Sequence, residues 1–236
     1  MKRLPGRVVE PEWLDDLPSQ DPRALRSRRD LRLLNFTMGH PAIMAAAILE
    51  HLRDSTTPRL VEIGAGDGHF MLTVAQRLRS KWPSVEATLV DRLDSFDPAT
   101  AKCFECLGWR IHTEKKAAAK WLEPSQPGVA DAIICNLFLH QFQTAELTEM
   151  LRLAASRVRL FIALEPRRSW LSRLSGRLLW VIGCGPVTRH DAGISIRAGF
   201  CGRELSIIWP DRQNWSLTER SAGLFSHLFI ARRATR

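Results

Sequence analysis

The sequence predicts an α/β protein built on a doubly wound, mostly parallel sheet. Two observations carry that reading. The first is a strand, glycine turn and helix in immediate succession. Leu60, Val61 and Ile63 form the short apolar run of a buried parallel strand, with Glu62 near its carboxyl end. Gly64, Gly66 and Gly68 follow at alternate positions, and Met71, Val74, Ala75 and Leu78 then recur at i, i+3, i+4 and i+7. Such a unit opens a doubly wound sheet, whose ligands bind at the carboxyl ends of the strands. The second observation is length: 236 residues suit one α/β domain with a modest extension.

The spacing of the glycines selects the ligand. A dinucleotide fingerprint reads G-x-G-x-x-G, with a pyrophosphate at the helix N-terminus. Here the pattern from Glu62 to Gly68 is Glu-x-Gly-x-Gly-x-Gly, with Asp67 among the glycines. Carboxylates there repel a pyrophosphate and suit a cation, such as a ligand carrying an ammonium and a sulfonium. This stretch resembles the first motif of the class I S-adenosylmethionine-dependent methyltransferases, an acidic residue followed by G-x-G-x-G. The resemblance implies a Rossmann-like seven-stranded sheet, mostly parallel with an antiparallel edge strand, under an N-terminal helical cap. It implies S-adenosyl-L-methionine as cofactor, held in this turn by Glu62, Gly64, Ala65, Gly66, Asp67 and Gly68.

Composition limits the alternatives. The net charge is +9, from 34 basic and 25 acidic residues. A basic surface admits nucleic acid as a partner, but arginine is scattered along the whole chain, with Arg26, Arg28, Arg29 and Arg32 concentrated near its start. No apolar stretch is long enough for a membrane span. Met1-Lys2-Arg3-Leu4-Pro5 has no apolar segment behind its charges, which argues for a cytoplasmic protein. Five cysteines do not make a disulfide scaffold. Cys103 and Cys106 form a C-x-x-C without further ligands nearby. Two half-buried thiols on one helix face are expected there.

Prolines punctuate residues 1–20. Asp21-Pro22 is an N-cap followed by proline at the first helical position. A helix is expected from Pro22 to about Thr37, with Leu25, Leu31, Leu33 and Leu34 on its apolar side and Gly39 as its stop. Pro41 opens a second helix through Leu52. Residues 1–53 thus form the extension and helical cap, and residues 54–236 the main domain. The run from Asp21 to Gly39 also resembles the start of a bacterial methyltransferase subgroup associated with polyketide gene clusters.

Trp82-Pro83 ends the glycine helix, and Ala87, Leu89 and Val90 make the second strand, ending at Asp91. The resemblance implies that Asp91, beside Arg92, binds the two ribose hydroxyls, and one carboxylate offers two acceptors to two adjacent donors. A helix over 98–107 and a strand near 109–112 follow. The resemblance places the adenine near Thr113–Lys116. Pro124, Pro127 and Gly128 form a loop. Ala130 to Asn136 is the fourth strand, continuing as Leu137-Phe138-Leu139-His140-Gln141-Phe142. This resembles the family's small-molecule motif, with Asn136 and Leu137 against the cofactor. Methylases of exocyclic amines in nucleic acids carry Asn/Asp-Pro-Pro-Tyr/Phe at this place, and the proline pair is missing here.

A helix over 144–158 and a strand over 160–164 lead to Glu165-Pro166. Trp170 to Gly183 is too short and too interrupted by Arg173 and Arg177 to span a bilayer; it reads as a lid helix within an insertion near 168–188, with a helix lying on a membrane surface as the alternative. A short helix opens at His190-Asp191 and stops at Gly199. Leu205–Trp209 is expected to be the sixth strand and Phe225–Arg232 the seventh, the two pairing antiparallel.

Methyl transfer from a sulfonium, which the resemblance implies, is an in-line displacement that asks mainly for placement and exclusion of water. A base helps a hydroxyl acceptor. His140 and His190 are the catalytic candidates, with His190 the better base. His112, His227 and His51 are set aside by position, and His40 approaches from the cap without a motif. No metal is expected. Phe138, Phe142, Trp170, Leu174 and Trp180 are candidate pocket walls, which suggests a hydrophobic, phenolic or polyketide-like acceptor and O-methylation. An RNA methyltransferase and a non-catalytic cofactor-binding partner protein are the alternatives.

Overall fold

The computed structural model describes residues 6–123 and 130–234. In chain order its elements are α1 (Trp13–Asp16), α2 (Pro22–Thr37), α3 (His40–Leu52), β1 (Arg59–Ile63), α4 (His69–Leu78), β2 (Val85–Asp91), α5 (Pro98–Cys106), β3 (Trp109–Lys115), α6 (Ala118–Leu122), β4 (Ala130–Asn136), α7 (Thr144–Arg157), β5 (Val158–Pro166), α8 (Trp170–Arg177), α9 (Pro186–Ala198), α10 (Glu204–Ile208), β6 (Trp215–Ala222) and β7 (Ser226–Arg233). The strands lie in the order β3-β2-β1-β4-β5-β7-β6. Neighbours from β3 to β5 are parallel, and β7 runs antiparallel to both β5 and β6. This is the seven-stranded sheet the sequence predicts.

Alternation along the strands builds two cores. Leu60, Leu89, Ile134 and Ile162 pack with Met44 and Ile48 of α3 and Met71 and Val74 of α4. Val61, Val90, Ile133 and Phe161 pack on the other face with Leu147 and Leu151 of α7 and Leu205 of α10. The strand order reverses between β1 and β4, so a crevice opens beyond their carboxyl ends. Glu62, Asp91, Asn136 and Glu165 stand at or next to the ends of four strands, on the same side of the sheet.

Several expectations need correction. Leu205–Trp209 is not the sixth strand: α10 occupies Glu204–Ile208, and β6 is Trp215–Ala222. A short apolar run fits helix or strand equally. Glu219 favours the helix here, because its carboxylate accepts the N–H groups of Leu205 at 3.0 Å and Ser206 at 2.7 Å. Helix α2 buries Ala24, Ser27 and Asp30 instead of a leucine side, and Leu25 and Leu33 are exposed. Asp30 explains this: its Oδ2 accepts the Gly185 N–H at 2.7 Å and the Thr188 hydroxyl at 2.9 Å, tying α2 to the start of α9. Cys103 and Cys106 are exposed, because α5 turns Thr100 and Phe104 inward. Helix α8 stops at Arg177, short of Gly183, and α9 begins at Pro186. The loop of Pro124, Pro127 and Gly128 lies outside the described residues. Among the described residues no helix is long and apolar enough to cross a membrane.

Candidate functional site

A cavity of about 940 Å³ opens at the carboxyl end of the sheet. Its walls include every residue of the glycine turn from Glu62 to Asp67, together with Asp91, Arg92, Asn136, Leu137 and His140. Gly68, at φ +79°, begins α4 behind the turn.

The turn is pinned from beneath. The N–H groups of Gly64 and Ala65 both donate to the Val90 carbonyl, at 2.9 and 3.2 Å. Gly64 has φ +77°, and a side chain there would run into the Phe138 ring. Gly66 has φ +56° and open space where a side chain would be, so its bare main chain faces the cavity. Asp91 Oδ2 accepts the Gly66 N–H at 2.8 Å, and its Oδ1 accepts the Leu93 N–H at 2.9 Å. These bonds fix the carboxylate and leave lone pairs for a ligand.

The acidic residues of the turn differ in role. Asp67 is neutralised by the Arg32 guanidinium of α2, at 3.0 and 2.7 Å, and caps the His69 N–H. Glu62 is fully buried, and among the described residues its Oε2 has no hydrogen-bond partner. Burial, and then the charges of Asp67 and Asp91, push its pKa well above the usual carboxylate range. Arg92 reaches across to Asp15 at 3.2 Å. Of the expected adenine segment, Lys116 lines the cavity, followed by Ala117, Ala118 and Ala119.

The other half of the cavity is built on Glu165. This buried carboxylate accepts the N–H groups of Phe138, Leu139 and His140 and holds the His140 ring, its Oε2 lying 2.8 Å from Nδ1. It thereby fixes the loop behind β4, where Leu137 sits at φ +53°. That conformation is costly for a side-chain-bearing residue and persists because its surroundings impose it. His140 Nε2 faces Glu12 Oε1 at 3.1 Å. Burial alone would lower the His140 pKa, but the hydrogen bonds and charges of Glu12 and Glu165 outweigh it and raise the value to about 9. His140 is therefore an imidazolium between two carboxylates. His40, in contrast, is held by burial at about 4. Its neutral ring lies 2.7 Å from Asn136 Oδ1 and 2.6 Å from Ser226 Oγ. Asn136 also donates to Asn35 at 3.0 Å.

The structure does not bring His190 to this cavity. Its ring stacks on Trp13 at 3.6 Å between centroids, its Nδ1 faces Asp191 at 2.9 Å, and it lines a separate surface groove. Phe138 and Phe142 are walls of the large cavity, whereas Trp170, Leu174 and Trp180 are exposed outside it. The sequence does not single out Glu12 or Arg32 as site residues, and it places His40 near the site only through the cap. Glu12 lies in an irregular stretch without periodicity, 128 residues from the histidine it binds.

Glu12 belongs to a strap that closes one side of the cavity. Arg7 donates to the carbonyls of Ala198, His140 and Phe142. Asp191 accepts the Trp13 and Leu14 N–H groups at 2.9 and 3.0 Å, docking α1 on α9. Asp191→Ala is expected to cost about 1–3 kcal/mol, the range for orphaned buried donors. It should also speed proteolysis within residues 7–16. An unchanged melting temperature and cleavage pattern would show that the strap is held elsewhere.

No family model matches this sequence, and no curated protein does. Solved structures do. The plantazolicin methyltransferase BpumL, in complex with a monoazolic desmethylPZN analogue and SAH, aligns with a TM-score of 0.65 at 13% identity, over 94% of this chain and 93% of that one. This is the methyltransferase fold. Magnesium protoporphyrin IX methyltransferase (ChlM) from Synechocystis PCC 6803, with bound SAM, gives 0.55 at 16% identity over 88% and 84% of the two chains. An O-methyltransferase family protein from Burkholderia thailandensis gives 0.60 at 19% identity over 92% of this chain. There the match spans 63% of the neighbour, less than two thirds of its length. In the methyltransferase fold of this chain, the cavity lies at the reversal of strand order.

Proposed function

We propose that this chain is an S-adenosylmethionine-dependent methyltransferase acting on a small hydrophobic acceptor, with O-methylation of a phenolic or polyketide-like compound favoured. Glu62 carries the reading. A buried carboxyl with an unpartnered oxygen, on the wall of a large cavity, is a costly arrangement unless a cation completes it. A ligand ammonium fits there. A ribose diol fits Asp91, whose oxygens are held in place by Gly66 and Leu93. When bound, S-adenosylmethionine supplies an electrophilic methyl group on its sulfonium.

The remaining work falls to the chain. Gly66 lets a ligand lie against the main chain. Asn136, oriented by His40 and Asn35, presents a fixed polar edge at the end of β4. Phe138 and Phe142, edge to face at 4.9 Å, give the acceptor an apolar wall. Residues 1–53 act as the cap, and the insertion near 168–188, in the domain of residues 54–236, acts as a lid that excludes water. His140 holds its proton up to about pH 9 and so is no free base at neutrality. His40 has both ring nitrogens engaged. The chain therefore lowers the barrier chiefly by placing the acceptor and excluding water.

Titration calorimetry with the cofactor and its demethylated product tests binding, and labelled-methyl transfer into a metabolite extract tests catalysis. Asp91→Ala should weaken cofactor binding by about 1.5–3 kcal/mol, roughly 10- to 150-fold. Absence of both heat and thermal shift at millimolar cofactor would sink the proposal.

A further inference from the structure

Helix α8 is built inside out. Its inward side is small and polar: Ser172 is 1% exposed, and a side chain at Gly176 would collide with Ile196 of α9. Its outward side is apolar, with Trp170 and Leu174 at i and i+4 and Leu178 just past its end. The turn behind it adds Trp180, Val181 and Ile182. Trp170 is 71% exposed and Trp180 63% exposed. These six are nearly half of the thirteen large apolar side chains exposed among the described residues. Water opposes such a concentration, and patches of this kind mark interaction surfaces.

Charge says which surface. From Pro166 to His190 the sequence carries five arginines and neither aspartate nor glutamate, although Arg168 is buried against Glu204 and adds no charge to this face. Arg189 is exposed and shares a groove with Trp180, Trp13 and His190. Arg26 of α2, also exposed, donates to the Gly183 carbonyl at 3.1 Å. Exposed tryptophans rimmed by arginine match the interface of an anionic bilayer, where the rings sit at headgroup level and the guanidinium groups meet the lipid charge. A second copy fits less well. A two-fold contact through this patch would set Arg26 and Arg189 near their own copies, like charge against like.

We propose that the outward face of α8 and the turn through Ile182 dock on an anionic lipid bilayer, and that the cavity is loaded from that surface. Leu178 and Ile182 join the two, since both line the cavity and both remain about half exposed. The bilayer docking stands on the patch alone. The loading of a lipophilic acceptor rests on the methyltransferase reading above, and narrows its substrate class to molecules that partition into membranes.

Flotation of the full chain with vesicles tests it, using phosphatidylglycerol and phosphatidylcholine at one to two, and phosphatidylcholine alone. The chain should float with the mixed vesicles, roughly tenfold or more better than with neutral ones, and less as salt rises. Trp170→Ser with Trp180→Ser should abolish flotation while melting temperature and cofactor affinity stay unchanged. Arg26→Gln with Arg189→Gln should remove the preference for anionic lipid, roughly a tenfold loss. No flotation of the wild-type chain, or equal flotation of the tryptophan variant, overturns the proposal. So does a dimer in sedimentation that the tryptophan variant abolishes, without vesicle binding. Flotation by a chain that binds no S-adenosylmethionine would keep the docking surface and end the methyltransferase reading.

Discussion

Replacing Glu62 by Gln is expected to weaken S-adenosylmethionine binding by about 2–5 kcal/mol, roughly 30- to 4000-fold, the range for truncating one partner of a buried charge pair. The same change should stabilise the unliganded protein at high pH. The folded pKa of Glu62 lies well above its ordinary 4.5. Between those two values the native chain holds a proton that the unfolded chain has released, so wild-type stability falls as pH rises through that window. Gln does not titrate. Urea unfolding at pH 8 should therefore favour Glu62→Gln, by a margin that shrinks toward pH 4.5. Opposite signs for affinity and stability would mark Glu62 as a residue kept for its ligand. Unchanged affinity would remove it from the site.

His140→Leu should lower stability by about 3–5 kcal/mol, because Glu12 and Glu165 would then face each other in a buried place without their cation. The pH profile carries a second test. The folded pKa of His140 is raised from 6.5 to about 9, so its contribution is complete below pH 6.5 and is lost as pH rises through 9. His40 acts in the other direction. Its folded value of about 4 means that the native chain lacks a proton the unfolded chain binds, and stability is lost as pH falls from 6.5 through 4. Melting temperature followed by circular dichroism should thus fall as pH rises from 6.5 to 9 in the wild type. His140→Leu should flatten the alkaline side and keep the acid side. Combining it with Glu62→Gln should flatten the alkaline side further, since both groups titrate in the same sense. A wild-type curve level from pH 6.5 to 9 would contradict the charged state of His140.

The proposed cofactor side is legible because its parts are contiguous. Glu62 to Gly68 sit in one turn, and Asp91 and Asn136 end strands that an apolar run identifies. The acceptor side was not, because its meaning lies between distant segments. His140 looked like a base in sequence, and only Glu12 and Glu165 make it a fixed cation. His190 is the better base by position in the sequence, yet Trp13 stacks on its ring. The sixth strand failed for a different reason. Leu-Ser-Ile-Ile-Trp has the composition of a strand, while Trp215–Ala222 is polar at alternate positions, as suits an edge with one wet face. The usual rule that apolar residues are buried turns Trp170, Leu174 and Trp180 inward as pocket walls. The rule fails where Ser172 and Gly176 make the close contact instead.

The strap that carries Glu12 has a consequence for how the chain is made. Arg7 and Trp13 find their partners in residues 140–198, up to 191 positions away. A ribosome adding about 5–20 residues per second needs roughly 10–40 s to span that gap. During that time Val8, Val9, Trp13 and Leu14 have nothing native to bind. The sheet from β1 to β4 can pair first, and the strap can close only after α9 has been made. Emergence of α9 from the ribosome, rather than formation of the glycine turn, therefore sets the moment at which the cavity acquires its wall. A nascent chain stalled before Asp191 should leave those early residues open to a protease or a chaperone, even though the glycine turn and its flanking strands can already fold.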